Sequence, residues 1–154
     1  NDIQRDLDRI RTDLSSIGSE FALSSFVWMV RDGMVVNPVG RLGILEHLNI
    51  RMFPYRYGDI ERLAKFQNRV LAKYAKTHDM PFIDIAGLLP FDPELYTDAV
   101  HADFSGTRLR GWIAFQQLLP TIEKHLADGS WPTPPGPPTP LPTFTLREIP
   151  VPCR

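Results

Sequence analysis

The 154-residue sequence has too few cysteines for disulfide bonds or for a cysteine-based metal site, since it contains only Cys153. A single cysteine cannot form an intrachain disulfide or supply a cysteine cage for zinc. An excess of charge of one sign is also missing, because 17 basic residues stand against 18 acidic ones and leave a net charge of -1. We therefore expect no metal or other cofactor and no nucleic-acid partner.

Long hydrophobic runs are absent as well. The longest uncharged apolar segment is Phe21 to Val30, FALSSFVWMV, which is about half the length needed to cross a bilayer. The first residues are too charged for a signal peptide. These features predict a soluble chain without a transmembrane segment, and they leave its compartment open.

Proline is concentrated at the carboxyl end, where nine of the 15 prolines lie within residues 129–154. Because such a run lacks backbone donors, it cannot pair into a sheet or continue a helix. We predict an α/β domain over residues 1–128 and a disordered Pro-rich tail over 129–154. The PxxP spacing within residues 132–142 suits contact with SH3-like or WW-like domains, and a plain linker is the alternative.

Apolar spacing predicts alternating helices and strands. A first amphipathic helix is indicated, with a two-heptad coiled coil as its rival. Two short apolar runs, Phe21 to Val30 and Met80 to Leu89, are typical of strands buried on both faces. If the segment Arg31 to Tyr57 is a packed surface excursion, a short helix is expected in it around Gly40 to His47. The apolar positions of the first helix are Ile3, Leu7, Ile10, Leu14 and Ile17.

Two longer helices complete the pattern. One is predicted to begin at Gly58, with Asp59 as its N-cap. Its apolar stripe consists of Ile60, Leu63, Ala64, Val70, Leu71 and Tyr74. The last helix is predicted over Thr107 to Leu126, with a kink or a restart at Pro120. Its predicted buried residues are Leu109, Trp112, Ile113 and Leu119.

This alternation predicts a parallel α/β sheet with helical crossovers, in which functional sites lie beyond the carboxyl ends of the strands. The segment YTDAVHADFSG follows the second predicted strand and precedes the last helix. Within it, Asp98 precedes His101 by three residues. A carboxylate at this spacing can accept the Nδ1 proton of an imidazole and hold the ring as a general base.

Two other interpretations of this segment remain open. Asp98 can cap an ordinary turn beside a half-exposed His101. Asp98, His101 and Asp103 can also be considered as cation ligands, although three ligands in one tight loop rarely converge. The remaining histidines, His47, His78 and His125, have no second histidine at helical spacing and do not predict a metal site.

DAVHADFSG, preceded by PFIDIAGLLP, resembles the carboxyl-terminal motif block of the SGNH (GDSL-type) serine hydrolases. In that family the Asp-x-x-His loop carries the acid and base of a catalytic triad, which here implies Asp98 and His101. The initial Asn-Asp is similar to the end of the family's G-x-N-D block, which implies that Asn1 donates to an oxyanion hole. The resemblance covers about residues 1–127 and implies the carboxyl-terminal part of a flavodoxin-like three-layer α/β/α sheet.

The family's Gly-Asp-Ser nucleophile block and its glycine block are both missing from the sequence. Ser19 is the nearest imitation of the nucleophile, but it precedes a predicted strand instead of following one. The resemblance therefore implies that the serine lies outside this sequence, and that this chain alone does not turn over substrate. The long segment Arg31 to Tyr57 is the expected pocket wall, with a packed surface excursion as its alternative.

For the complete protein the resemblance implies hydrolysis of esters, with small-molecule, glycan and lipid esters all open as substrates. Two other functions remain. One is an SGNH-like module that binds a ligand without turnover. The other is an α/β interaction domain with a PxxP docking tail.

Overall fold

The computed structural model describes residues 2–130, so Asn1 and the tail from Trp131 onward lie outside the described residues. The predictions of an oxyanion role for Asn1, and of disorder and PxxP docking in the tail, fall on those positions. Over residues 2–130 the chain forms a mixed α/β fold, in which helices surround a small parallel sheet of two strands.

The predicted helices and strands follow one another in the predicted order, but a further short helix and two helical turns occur between them and both strands are much shorter than predicted. The helices are α1 (Asp2–Ser16), α2 (Leu42–Glu46), α3 (Tyr57–Thr77), α4 (Ile85–Leu88) and α5 (Phe104–Asp128). The strands are β1 (Leu23–Ser24) and β2 (Phe82–Ile83), and a π-helical turn (His47–Arg51) and a 3₁₀ turn (Pro93–Leu95) complete the list. No helix within residues 2–130 combines the length and the apolar character needed to cross a bilayer.

The sheet is much shorter than the two apolar runs predicted. Leu23 pairs with Phe82 and Ser24 with Ile83 in a parallel register, and the ladder then stops. It stops because Asp84 caps α4 by accepting the Gly87 N–H at 3.0 Å. The second run thus turns into a helix after two paired residues, and the prediction of a strand extending to Leu89 is wrong.

The first apolar run, Phe21 to Val30, pairs with β2 along one edge, and the side chain of Asn68 occupies part of its opposite edge. The amide N–H and the carbonyl oxygen of Phe26 bond the side-chain amide of Asn68 on α3, at 2.8 and 2.9 Å. Ser24 and Phe26 are exposed, whereas Leu23 and Ser25 are buried. The prediction that this run is buried on both faces is therefore wrong at its beginning.

Helix α3 begins one residue earlier than predicted. Arg56 is the N-cap, and Asp59 lies in the first turn, where its Oδ2 accepts the Arg56 N–H at 3.3 Å. The carboxylate thus still satisfies a backbone donor at the helix start, but from the N3 position and not from the N-cap. Leu63, predicted to be buried on this helix, is exposed.

The core is smaller than the apolar pattern suggests. On α1 only Leu7 is buried, while Ile3 and Ile10 are exposed, as is Ile17 directly after the helix. On α5, which continues through Pro120 as one helix, Ile113 is buried but Trp112 is 59% exposed. The main buried cluster contains Met29, Val30, Val36, Ile44, Leu48, Ile60, Leu89, Tyr96, Ala99 and Ile113, and a second cluster contains Leu7, Leu23, Tyr74 and Ala75.

Candidate active site

The segment from Tyr96 to Asp103, here called the Asp–His loop, connects the 3₁₀ turn to α5. Its ends are joined by an antiparallel bridge between Tyr96 and Ala102. The Thr97 N–H donates to the carbonyl oxygen of His101 at 2.9 Å, which closes the loop into a compact turn. The loop is thus held by its own backbone as well as by its neighbours.

The carboxylate of Asp98 accepts hydrogen bonds on both oxygens. Oδ1 accepts the N–H groups of Val100 and His101, each at 2.8 Å. Oδ2 lies 2.7 Å from Nδ1 of the His101 ring. The turn-capping interpretation and the acid–base interpretation of Asp98 are therefore compatible, because one oxygen builds the turn while the other orients the imidazole.

His101 presents its ring to solvent, with 74% of its side chain exposed. Because Nδ1 faces Asp98, Nε2 is the nitrogen left to exchange a proton with another group. Within residues 2–130 no side-chain hydroxyl hydrogen bonds to this ring, and Thr97 Oγ1 donates to the His101 backbone carbonyl instead. Within residues 2–130 the contact between Asp98 and His101 is thus a carboxylate–imidazole pair, with no hydroxyl bonded to the ring.

Opposing effects set the protonation of Asp98. Partial burial raises its pKa, but the hydrogen bonds from the His101 and Val100 N–H groups and the His101 ring outweigh that effect. The net result holds the pKa of this carboxyl well below its usual range. Asp98 is therefore ionised at neutral pH, as an acceptor for a histidine proton must be.

Three neighbouring elements fix the Asp–His loop. The Met29 N–H, beyond β1, donates to the carbonyl oxygen of the fully buried Ala99 at 2.7 Å. A Cβ at Gly43 of α2 would collide with the Thr97 carbonyl oxygen, and a Cβ at Gly106 of α5 would collide with that of Leu95. Gly43 thus permits the close approach of α2 to the loop backbone, and Gly106 permits that of α5 to the 3₁₀ turn directly before the loop.

Two of the other residues considered from sequence lie away from the pair. The carboxylate of Asp103 caps α5 by accepting the Gly106 N–H at 2.7 Å. Ser19 lines a different cleft, between α1 and the carboxyl end of α5, together with His78 and His125. No set of three histidine, cysteine, aspartate or glutamate side chains in the part of the chain described is arranged to hold a metal ion.

His47 was not predicted as a site residue, but its Nδ1 lies 3.7 Å from Asp98 Oδ1. It stands where α2 passes into the π-helical turn, inside the segment predicted as a pocket wall. A cavity of about 240 Å³ separates this turn from the Asp–His loop, and Gly43, Glu46, His47, Arg51, Thr97 and Asp98 line it. No local sequence signal reveals this contact, because it depends on how α2 docks against the loop.

Asp98 and His101 thus form a carboxylate–imidazole pair in a closely packed loop, with the ring of His101 exposed. Chemically, such a pair can accept a proton and give it back. The chain matches no protein family, no curated protein and no solved structure.

Proposed function

We propose that this chain carries the acid and base of an ester-hydrolysing active site of the SGNH (GDSL) type. One observation carries the proposal: a 2.7 Å contact joins the ionised carboxylate of Asp98 to Nδ1 of an imidazole whose ring is exposed. That arrangement leaves Nε2 of His101 directed to accept the proton of an attacking hydroxyl.

In this mechanism a serine from outside the sequence attacks the ester carbonyl. His101 accepts the serine proton at Nε2 and then returns it to the leaving alcohol, while Asp98 stabilises the imidazolium. Water hydrolyses the acyl-enzyme by the same proton transfers in reverse order. Asn1 is proposed as an oxyanion donor, a role worth about 3 to 4 kcal/mol in the transition state of comparable enzymes.

The same proposal extends to the fold. Strands β1 and β2 are parallel and joined through α3, and α5 follows the Asp–His loop. This is the order expected for the carboxyl-terminal part of a flavodoxin-like three-layer sheet, with further strands supplied by another segment. The exposed Ser24 and the exposed face of α5 around Trp112 are consistent with surfaces that such a segment would cover.

The test is to extend the chain at its amino end with a strand that carries Gly-Asp-Ser and to measure hydrolysis of p-nitrophenyl acetate. Extension is expected to create ester hydrolysis, whereas the 154-residue chain alone should not exceed the background of an exposed imidazole. In the extended protein, His101→Ala should lower kcat about 10⁴- to 10⁶-fold and Asp98→Asn about 10⁴-fold.

His78→Ala provides a matched control, because His78 also lies near a carboxylate, with Nε2 3.8 Å from Asp8 Oδ1. This variant should retain activity. If His101→Ala kept more than about a tenth of the activity, the assignment of the base would be wrong.

A second candidate function is a module of the same type that binds an ester or a partner without turnover. It is favoured by the absence, within residues 2–130, of a hydroxyl on the His101 ring. Calorimetry with a non-hydrolysable ester analogue separates the two functions. Binding by the extended protein that persists in the absence of any hydrolysis supports the module, and binding accompanied by turnover supports the enzyme.

A further inference from the structure

Asp98 faces two imidazoles, one on each carboxylate oxygen. His101 Nδ1 lies 2.7 Å from Oδ2, and His47 Nδ1 lies 3.7 Å from Oδ1. The second distance is within ion-pair range but longer than a hydrogen bond. The carboxylate therefore lies within electrostatic reach of two imidazole rings, each of which carries a positive charge when it is protonated.

The two rings differ strongly in their surroundings. The side chain of His47 is 16% exposed, against 74% for that of His101. The rings of His47 and Trp28 meet edge to face, with their centroids 6.1 Å apart. His47 is thus enclosed behind the carboxylate, whereas His101 is accessible to a reacting group.

The position of His47 is fixed by the docking of α2. Gly43 lies one turn earlier on the same helix and contacts the backbone of Thr97 so closely that no side chain fits between them. The other charged groups that line the cavity with His47 and Asp98 are Glu46 and Arg51, and both are exposed. Water screens these exposed charges more than it screens the enclosed contact between His47 and Asp98.

We propose that His47 is a positioning residue that acts on His101 through the shared carboxylate of Asp98. When His47 is protonated, it competes with His101 for the negative charge of Asp98 and adds a like charge to the site. Both effects disfavour the imidazolium form of His101 and favour the neutral ring, which is the form that accepts a proton. The consequence of this coupling for ester hydrolysis rests on the proposed function, but the coupling itself does not.

The coupling can be measured on the 154-residue chain without any turnover. Diethyl pyrocarbonate modifies neutral imidazole rings, and the rate at His101 can be followed by mass spectrometry with fragment-ion assignment. At pH 6, His47→Gln is expected to slow modification of His101 by about two- to threefold, the effect of a weak like-charge interaction in a well-solvated site. At pH 8 the difference between the wild type and His47→Gln should be smaller, because imidazole rings in general lose their positive charge as the pH rises.

A matched control is His78→Gln, which removes a histidine at a similar distance from a different carboxylate. It should leave the His101 rate unchanged at both pH values. Equal rates at His101 in the wild type and in a folded His47→Gln variant at pH 6 would overturn the proposal.

If circular dichroism shows that His47→Gln does not fold, His47→Lys keeps a positive charge at the same position. At pH 6, His101 in His47→Lys should be modified at least as fast as His101 in the wild type. A rate at least twofold lower than that of the wild type would contradict the coupling. These results are independent of ester hydrolysis by an extended protein, so failure of the proposed function and failure of the coupling are distinguishable.

Discussion

Replacing Asp98 tests whether one carboxylate holds the Asp–His loop together as well as orienting His101. In Asp98→Ala the N–H groups of Val100 and His101 lose their 2.8 Å acceptor. A hydrogen bond to a charged group is worth about 1.5 to 3 kcal/mol, but water can replace part of it because His101 is exposed. We expect the loop to be destabilised by about 2 kcal/mol, which corresponds to an equilibrium constant for loop opening about 30-fold larger.

Asp98→Asn provides the matched comparison. The asparagine oxygen can still accept both backbone N–H groups, so the variant loses the negative charge but keeps the turn. We expect it to cost about 0.5 to 1 kcal/mol, or an equilibrium constant for loop opening about two- to fivefold larger. The predicted order is therefore wild type, then Asn, then Ala, from the most protected loop to the least protected.

Amide hydrogen exchange of Val100 and His101 measures this opening locally and does not require cooperative unfolding of the whole chain. The expected result is a change confined to the Asp–His loop, with the amides of α3 unaffected. Equal protection in the wild type and in Asp98→Ala would refute the reasoning, because it would mean that the carboxylate does not hold the turn.

Three further predictions concern pH, association and the tail. Because folding lowers the pKa of Asp98, its contribution to stability should be complete above about pH 4 and should be lost as the pH falls further towards the lowered pKa. Over that pH range, protection of the His101 amide from exchange, corrected for intrinsic exchange, should fall in the wild type but not in Asp98→Asn. The chain should self-associate and show a broad urea transition, since it exposes a strand edge and Trp112. Sedimentation should show less association for Trp112→Arg than for the wild type. A monodisperse wild-type monomer with a sharp urea transition would contradict the proposal that another segment supplies further strands. Truncation after Ser130 should leave the thermal midpoint nearly unchanged, and a clear drop would show that the tail packs against the domain.

The parts of the site that depend on local spacing could be predicted from sequence. Asp98 and His101 are three residues apart, so one turn of backbone brings them together without help from the rest of the fold. His47 could not be found in the same way, because its proximity to Asp98 depends on the docking of α2 through Gly43. Long-range packing of this kind leaves no periodic signal in a single sequence.

The errors in the fold have a related cause. Apolar spacing correctly predicted helices around Leu7, Ile60 and Ile113, but spacing indicates which face is apolar and not whether another element covers it. Trp112 lies on a helix as predicted and is nevertheless exposed. The branched residues of the second apolar run, Met80 to Leu89, favour a strand, but the capping of α4 by Asp84 overrides that preference.

The hydrogen bonds between Asn68 and Phe26 limit where the sheet can grow. The N–H groups of Leu23 and Ser25 donate towards the β2 side, so the alternating geometry of an extended chain directs those of Ser24 and Phe26 to the opposite edge. At that edge the side-chain amide of Asn68 makes the two hydrogen bonds that a residue of a neighbouring strand would make, accepting from the N–H and donating to the carbonyl oxygen of Phe26. An incoming strand can therefore pair beside Ser24, but it must either end before Phe26 or displace a side chain of α3.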